Sequence, residues 1–169
     1  MIAIYQGKSL VSKLIKFRTW SEDTHISWVE PDTMDEYEAW ISQGVRKVKF
    51  GADHTDLTPV DLFHVDLTQG EHEGLLEFLD SQIGKGYDLR ALLGFMCRLP
   101  IEDKNKLVCS EYIFAGFLKI KKPLLERIPA YKVPPAYFRL SPLLKTRGST
   151  LTSVAGPFIP SMCLSGARA

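Results

Sequence analysis

The sequence predicts an α+β fold, a strand-rich first half followed by a helical second half with an antiparallel sheet packed on helices. Two observations carry this. Residues 60–67 alternate, with Phe63, Val65 and Leu67 on one face and Val60 and Leu62 on the other, the period of a strand. Residues 71–83 then change period, placing Leu75, Leu76, Leu79 and Ile83 on one helical stripe.

The elements follow in order. Ile2–Tyr5 is a short strand. Ser9–Phe17 is a helix with Leu10, Leu14 and Phe17 at helical spacing and lysines between them. After the polar break Ser21–Thr24, His25–Glu30 is a strand by its β-branched and aromatic content. Pro31-Asp32-Thr33 turns the chain, Tyr37–Ile41 returns it, and a further strand runs from Gly44 to Phe50. Gly84 and Gly86 end the helix of residues 71–83. A second helical run starts at Tyr87-Asp88, with Asp88 as its cap, and Pro100 stops it beyond Leu99. Val108–Leu118 is apolar on most sides and reads as a buried helix. From Lys121 onward, recurrent prolines predict an extended, wrapping segment.

The 169 residues suit one domain with its own core, read as residues 1–148. Residues 149–169, rich in Ser, Thr, Gly and Pro, read as a flexible or wrapping tail. The balance of 45% hydrophobic and 24% charged residues is that of a soluble globular chain. A net charge of +1, without a basic cluster interleaved with aromatics, argues against nucleic acid as a partner. No apolar run is long enough for an integral membrane segment. The N-terminus lacks the pattern of a secretory signal, so the expected location is cytoplasmic as synthesised, with export by a non-classical route left open. Cys97, Cys109 and Cys163 are odd in number and lack zinc-ligand spacing, so neither a disulfide framework nor a metal or other cofactor is expected.

Cys109 stands at the start of the predicted helix 108–118. There the unpaired N–H groups and the positive dipole end favour a thiolate and a developing oxyanion. Lys104 and Lys106 add positive charge, and Ile113 and Phe117 share the cysteine's helical face. A buried, inert thiol is the competing reading. Four histidines compete as its base. His72 falls on the exposed side of a helix, His54 in a polar loop, and His64 in mid-strand. His25 opens a strand, where a side chain reaches a cleft. Spacing alone does not separate His25 from His64.

The ordered set Thr24-His25-Ile26-Ser27-Trp28-Val29, Tyr37-Glu38-Ala39 with Gly44-Val45, Gly86-Tyr87-Asp88 and Cys109-Ser110-Glu111 resembles the permuted NlpC-type papain-like family. That family includes YiiX-like bacterial proteins and, more distantly, lecithin retinol acyltransferase. The resemblance covers residues 20–120. It implies a circularly permuted papain-like fold, an antiparallel sheet or partial barrel on helices, with the histidine strand preceding the cysteine helix. It also implies Cys109 as nucleophile, His25 as general base and Glu38 as the polar third member, with Glu30 as the competitor for that place. Tyr87 and Ser110 are the implied substrate-binding residues; Tyr87 either lines the cleft, donates to an oxyanion or packs between helices. Ser27 stands where many relatives have glycine.

The expected function is therefore a cysteine peptidase or amidase acting through a thioester on a peptide or acyl substrate, with cell-wall peptides favoured by the resemblance. An acyltransferase or lipid esterase on the same site, and an inactive papain-like binding or phage accessory module, are the alternatives.

Overall fold

A computed structural model describes residues 1–88 and 106–151. The sheet has six strands: β1 (Ile2–Tyr5), β2 (His25–Val29), β3 (Asp35–Trp40), β4 (Gly44–Lys49), β5 (Pro59–His64) and β8 (Lys145–Leu151). Their order is β4-β3-β2-β1-β5-β8, and every pairing is antiparallel. A separate two-residue parallel pair joins β6 (Gly86–Tyr87) to β7 (Lys106–Leu107). Among the described residues, three α-helices accompany the strands: α1 (Leu10–Thr19), α2 (Gln69–Ser81) and α3 (Cys109–Lys119).

Strand alternation sorts the sheet into two faces. Ile2, Ile4, Ile26, Trp28, Tyr37, Ala39 and Phe63 join Leu75 and Leu79 of α2 and Ile113, Phe114 and Phe117 of α3 in the main core. The other face carries a smaller cluster of Met1, Ala3, Tyr5, Val29, Val60 and Leu62. The alternation read from residues 60–65 thus holds, although β5 ends at His64. Helix α2 begins with a reciprocal cap between Thr68 and Glu71, and it packs close against α3. A Cβ at Gly116 would come within 2.8 Å of Leu75 Cδ1, and Tyr112 Oη donates to the Leu79 carbonyl at 2.8 Å.

Several expectations change. Helix α1 forms where the spacing placed it, but Leu10, Leu14 and Phe17 point to solvent and Ile15 is its buried residue. Ile83 lies beyond the end of α2 and is exposed. Tyr87 belongs to a strand rather than to the start of a helix, because β6 pairs with β7, and the Asp88 N–H, expected to open that helix, donates to the Leu107 carbonyl at 3.3 Å. Residues 89–99 of the predicted helix, with Cys97 among them, Pro100 and Lys104 lie outside the described residues. The proline-rich segment coils into two short 3₁₀ turns, Ala130–Lys132 and Pro135–Leu140. Residues 149–151, read as the start of a tail, continue β8; residues 152–169, Cys163 among them, lie outside the described residues.

Two long-range ties shape the end of the molecule where the helices meet the sheet. Gly44 has φ +74°, and a Cβ there would approach the Lys85 carbonyl oxygen to 2.1 Å; this close approach seats residues 84–87 beside β4. Arg139 donates to both oxygens of the buried Asp23 (2.6 and 2.8 Å) and to Asp61. That fork fixes the 130–140 segment to the loop before His25. Arg139→Ala leaves the Asp23 carboxylate buried without its partner, so stability is expected to fall by about 2 kcal/mol, read as a lower urea midpoint at unchanged slope.

Candidate active site

The first residue of β2 and the first residue of α3 meet. Cys109 follows Val108, whose extended backbone (φ −92°, ψ 160°) caps the helix without a side-chain bond. The opening N–H groups of α3 therefore have no intrahelical carbonyl to bond. The thiol is buried, as are Ile113 and Phe117 on the same face. His25 is partly buried, and its Nε2 donates to Glu38 Oε2 at 2.8 Å. Burial works against the charged imidazole. The Cys109 charge and a side-chain hydrogen bond with Cys109 outweigh it, with further help from Glu38, and the His25 pKa is pushed up to about 10. His25 thus stands between a carboxylate and a thiol.

Glu38 is fully buried and forms the centre of a polar network. Arg46 Nε and Nη2 donate to its Oε1 at 2.9 and 2.5 Å. Burial opposes ionisation of Glu38, but the hydrogen bond from His25 and the neighbouring imidazole of His54 prevail and hold its carboxyl below the usual carboxylate range. Arg46 is itself fixed by Asp53 and Gln43, each at 2.7 Å. Two residues earlier on the same strand face, Glu36 accepts from Tyr5 Oη (2.7 Å), Ser27 Oγ (2.6 Å) and the Gly51 N–H (2.8 Å). Burial and the neighbouring Glu38 charge raise its pKa. Ser27, which stands where many relatives of the resembled family have glycine, is therefore part of this network.

The residues expected to compete with the site fall elsewhere. Glu30 Oε2 accepts from His72 Nε2 at 2.7 Å, so Glu30 has a different partner and His72 is half-buried rather than on an open surface. His64 is half-exposed and lies 3.0 Å from Asp66. His54 departs furthest from the solvated loop position expected of it. It is 7% exposed, stacked on Tyr5 at 3.8 Å and edge-on to Trp40 at 5.0 Å. Sequence reasoning missed Arg46, Glu36 and Tyr5. The available signal was the alternation of Glu36 and Glu38, which puts two carboxylates on one strand face, and an arginine on the next strand.

Tyr87 and Ser110 line one cleft with Cys109. It encloses about 510 Å³, solvent included, and its other walls are Ile15 of α1 and residues 131–135. Burial and the charges of Cys109 and Asp88 raise the Tyr87 pKa well above its ordinary value, so its hydroxyl is held protonated as a hydrogen-bond donor.

His25, Glu38 and His54 offer ligand atoms within 4.8 Å of one another. The set does not fit a resident divalent ion. Its one carboxylate is already neutralised by the Arg46 fork on Oε1 and bonded by His25 on Oε2, so a dication would compete with a fixed guanidinium. His54 Nε2 has no hydrogen-bond partner among the described residues and lies 3.7 Å from Glu38 Oε2.

The six-stranded antiparallel sheet with its helices defines an α+β fold, and a solved structure has a similar one. The chain is similar to the metalloprotein YiiX from Escherichia coli O157:H7 (DUF1105), with a TM-score of 0.68 and 16% identity over 88% of this chain and 95% of that one. The likeness is thus to a YiiX-like fold. No protein-family profile and no curated protein sequence matches the chain. No helix among the described residues is long and apolar enough to cross a membrane.

The His25 shift has a sign that can be measured. Its folded pKa of about 10 exceeds the unfolded value near 6.5. The stabilisation is therefore full below about pH 6.5 and is lost as pH rises toward 10. An NMR titration of the imidazole is expected to report a midpoint near 10, and a lower one in Cys109→Ala, where the thiol charge is gone. Equal midpoints in the two proteins would remove the Cys109–His25 coupling.

Proposed function

We propose that the chain is a thiol-dependent hydrolase of the permuted papain-like kind, a cysteine peptidase or amidase with Cys109 as nucleophile. The observation that carries this reading is His25, held by Glu38 at 2.8 Å and coupled to Cys109. A raised imidazole pKa keeps the proton on His25 beside the Cys109 sulfur, the arrangement that an activated cysteine requires.

From that state the thiolate adds to a substrate carbonyl, and charge develops on its oxygen. The first N–H groups of α3 and the Tyr87 hydroxyl are the donors placed to meet it. Collapse of the adduct breaks the carbonyl–leaving-group bond, and His25 gives its proton to the departing amine. The product of this half is a thioester on Cys109. Water then attacks, His25 takes its proton, and the thiol is released with the acid product. Throughout, Glu38 orients the imidazole and balances its charge, while Arg46 and His54 keep Glu38 ionised. Ser110 lines the substrate side of the cleft. Resemblance favours an amide in a cell-wall peptide.

The likeness to a structure described as a metalloprotein supplies a second reading, in which His25, Glu38 and His54 ligate an ion. The guanidinium on Glu38 argues against it. Chelation with EDTA is expected to leave hydrolysis unchanged, and excess zinc to inhibit by taking His25. Loss of hydrolysis on chelation, restored by zinc, would replace the thiol reading.

A thiol-reactive probe is expected to label Cys109 ahead of Cys97 and Cys163. In a hydrolysis screen of peptidoglycan fragments against lipid esters, Cys109→Ala should fall to background, a loss of at least about 10⁴-fold. Glu38→Gln should cost roughly 10²- to 10³-fold, because the imidazole loses its orienting charge. Labelling of Cys109 no faster than the other thiols, or hydrolysis that survives Cys109→Ala, would overturn the reading.

A further inference from the structure

Helix α1 is amphipathic in the wrong direction for its own core. It starts with a Ser9 Oγ cap on the Ser12 N–H (3.1 Å) and ends at Trp20 in a left-handed conformation (φ 53°). The side toward the body carries Ile15, buried, with Ser12 and Thr19 half-buried beside it. At 100° per residue, Leu10, Leu14 and Phe17 occupy an arc of about 60° on the opposite side. They are 74%, 48% and 75% exposed, and Trp20, stacked with Phe17, is 92% exposed. Burial of side chains of this size is strongly favourable, and the fold forgoes it for a whole helical stripe.

The charge around the stripe says what it suits. Residues 8–20 contain four basic side chains, Lys8, Lys13, Lys16 and Arg18, and no acidic one, in a chain whose net charge is only +1. Lys13 and Arg18 flank the apolar arc on its two sides. An outward stripe of Leu and Phe, closed by Trp and bordered by Lys and Arg, has the composition of a helix that lies in the headgroup region of an anionic bilayer. Glu22, just beyond the helix, pairs with Lys16, and the stripe itself is bordered by basic residues on both sides. We propose that α1 is a membrane-docking element, binding in the plane of an anionic lipid surface through Leu10, Leu14, Phe17 and Trp20. Ile15, on the inner side of the same helix, forms a wall of the Cys109 cleft, so docking brings that cleft next to the lipid surface.

The test uses the full chain, sedimented with vesicles of phosphatidylcholine containing about one-third phosphatidylglycerol, and with vesicles of phosphatidylcholine alone. Binding is expected to the anionic vesicles, to weaken at high salt, and to shift the emission of the solvent-exposed Trp20 to the blue. Leu14→Glu with Phe17→Glu changes exposed side chains and should lower partitioning at least tenfold at an unchanged melting temperature. Lys13→Glu with Lys16→Glu provides an independent variant with the same expected loss. Failure of the wild-type chain to bind anionic vesicles, or undiminished binding by both variants, would overturn the proposal. So would a wild-type dimer that the Leu14/Phe17 variant dissolves and that ignores lipid, which would assign the stripe to a second copy. Cys109→Ala should bind as the wild type does, so a failed hydrolase reading and a failed docking site give different results.

Discussion

The structure depends on one buried carboxylate. Glu38 has no exposure, and a lone charge in that position would cost several kcal/mol. It is tolerated because Arg46 forks onto one oxygen and His25 donates to the other. Each partner comes from a neighbouring strand, so the arrangement exists only when β2, β3 and β4 are in register. Asp35 to Trp40 paired against Lys49 to Gly44 puts Glu38 opposite Arg46. The ion pair and the sheet register therefore support each other.

Around this centre the sheet does something uncommon for a small α+β chain. Beside the small apolar cluster of Met1, Ala3, Tyr5, Val29, Val60 and Leu62, its second face buries a network of polar groups. Glu36 and Glu38 alternate with Tyr37 and Ala39, so one strand serves an apolar core on one side and a hydrogen-bonded network on the other. Two carboxylates that close repel, and the network divides them: Glu38 is held ionised by cations, while Glu36 is pushed toward its neutral form. Rigidity of this kind is what a proton-transferring imidazole needs, since an oriented base must not wander.

The helix start completes the site from the other side of the sheet. Cys109 belongs to the main apolar core, His25 to the end of the polar face. The two faces meet at the end of β2, and the 130–140 segment, pinned by Arg139 to Asp23, closes the cleft there. In the proposed reading, the thiol takes its low-dielectric surroundings from one layer and its proton partner from the other.

The α+β class, the short strands at Ile2, His25 and Gly44, the three described helices and the inward face of Cys109 were legible in the sequence, because period is a local property. The resemblance implied Glu38 beside His25 and left Glu30 as its competitor. Tertiary structure alone decided the rest. It separated His25 from His64 and Glu38 from Glu30, because only the packed strands show which imidazole a carboxylate reaches. It buried His54 from a polar loop, where the ring stacks on Tyr5 and meets Trp40 edge-on. It supplied Arg46, whose role depends on a cross-strand register that spacing does not encode. It also turned the stripe of α1 outward, since periodicity shows that a helix has an apolar face but not which way the face points.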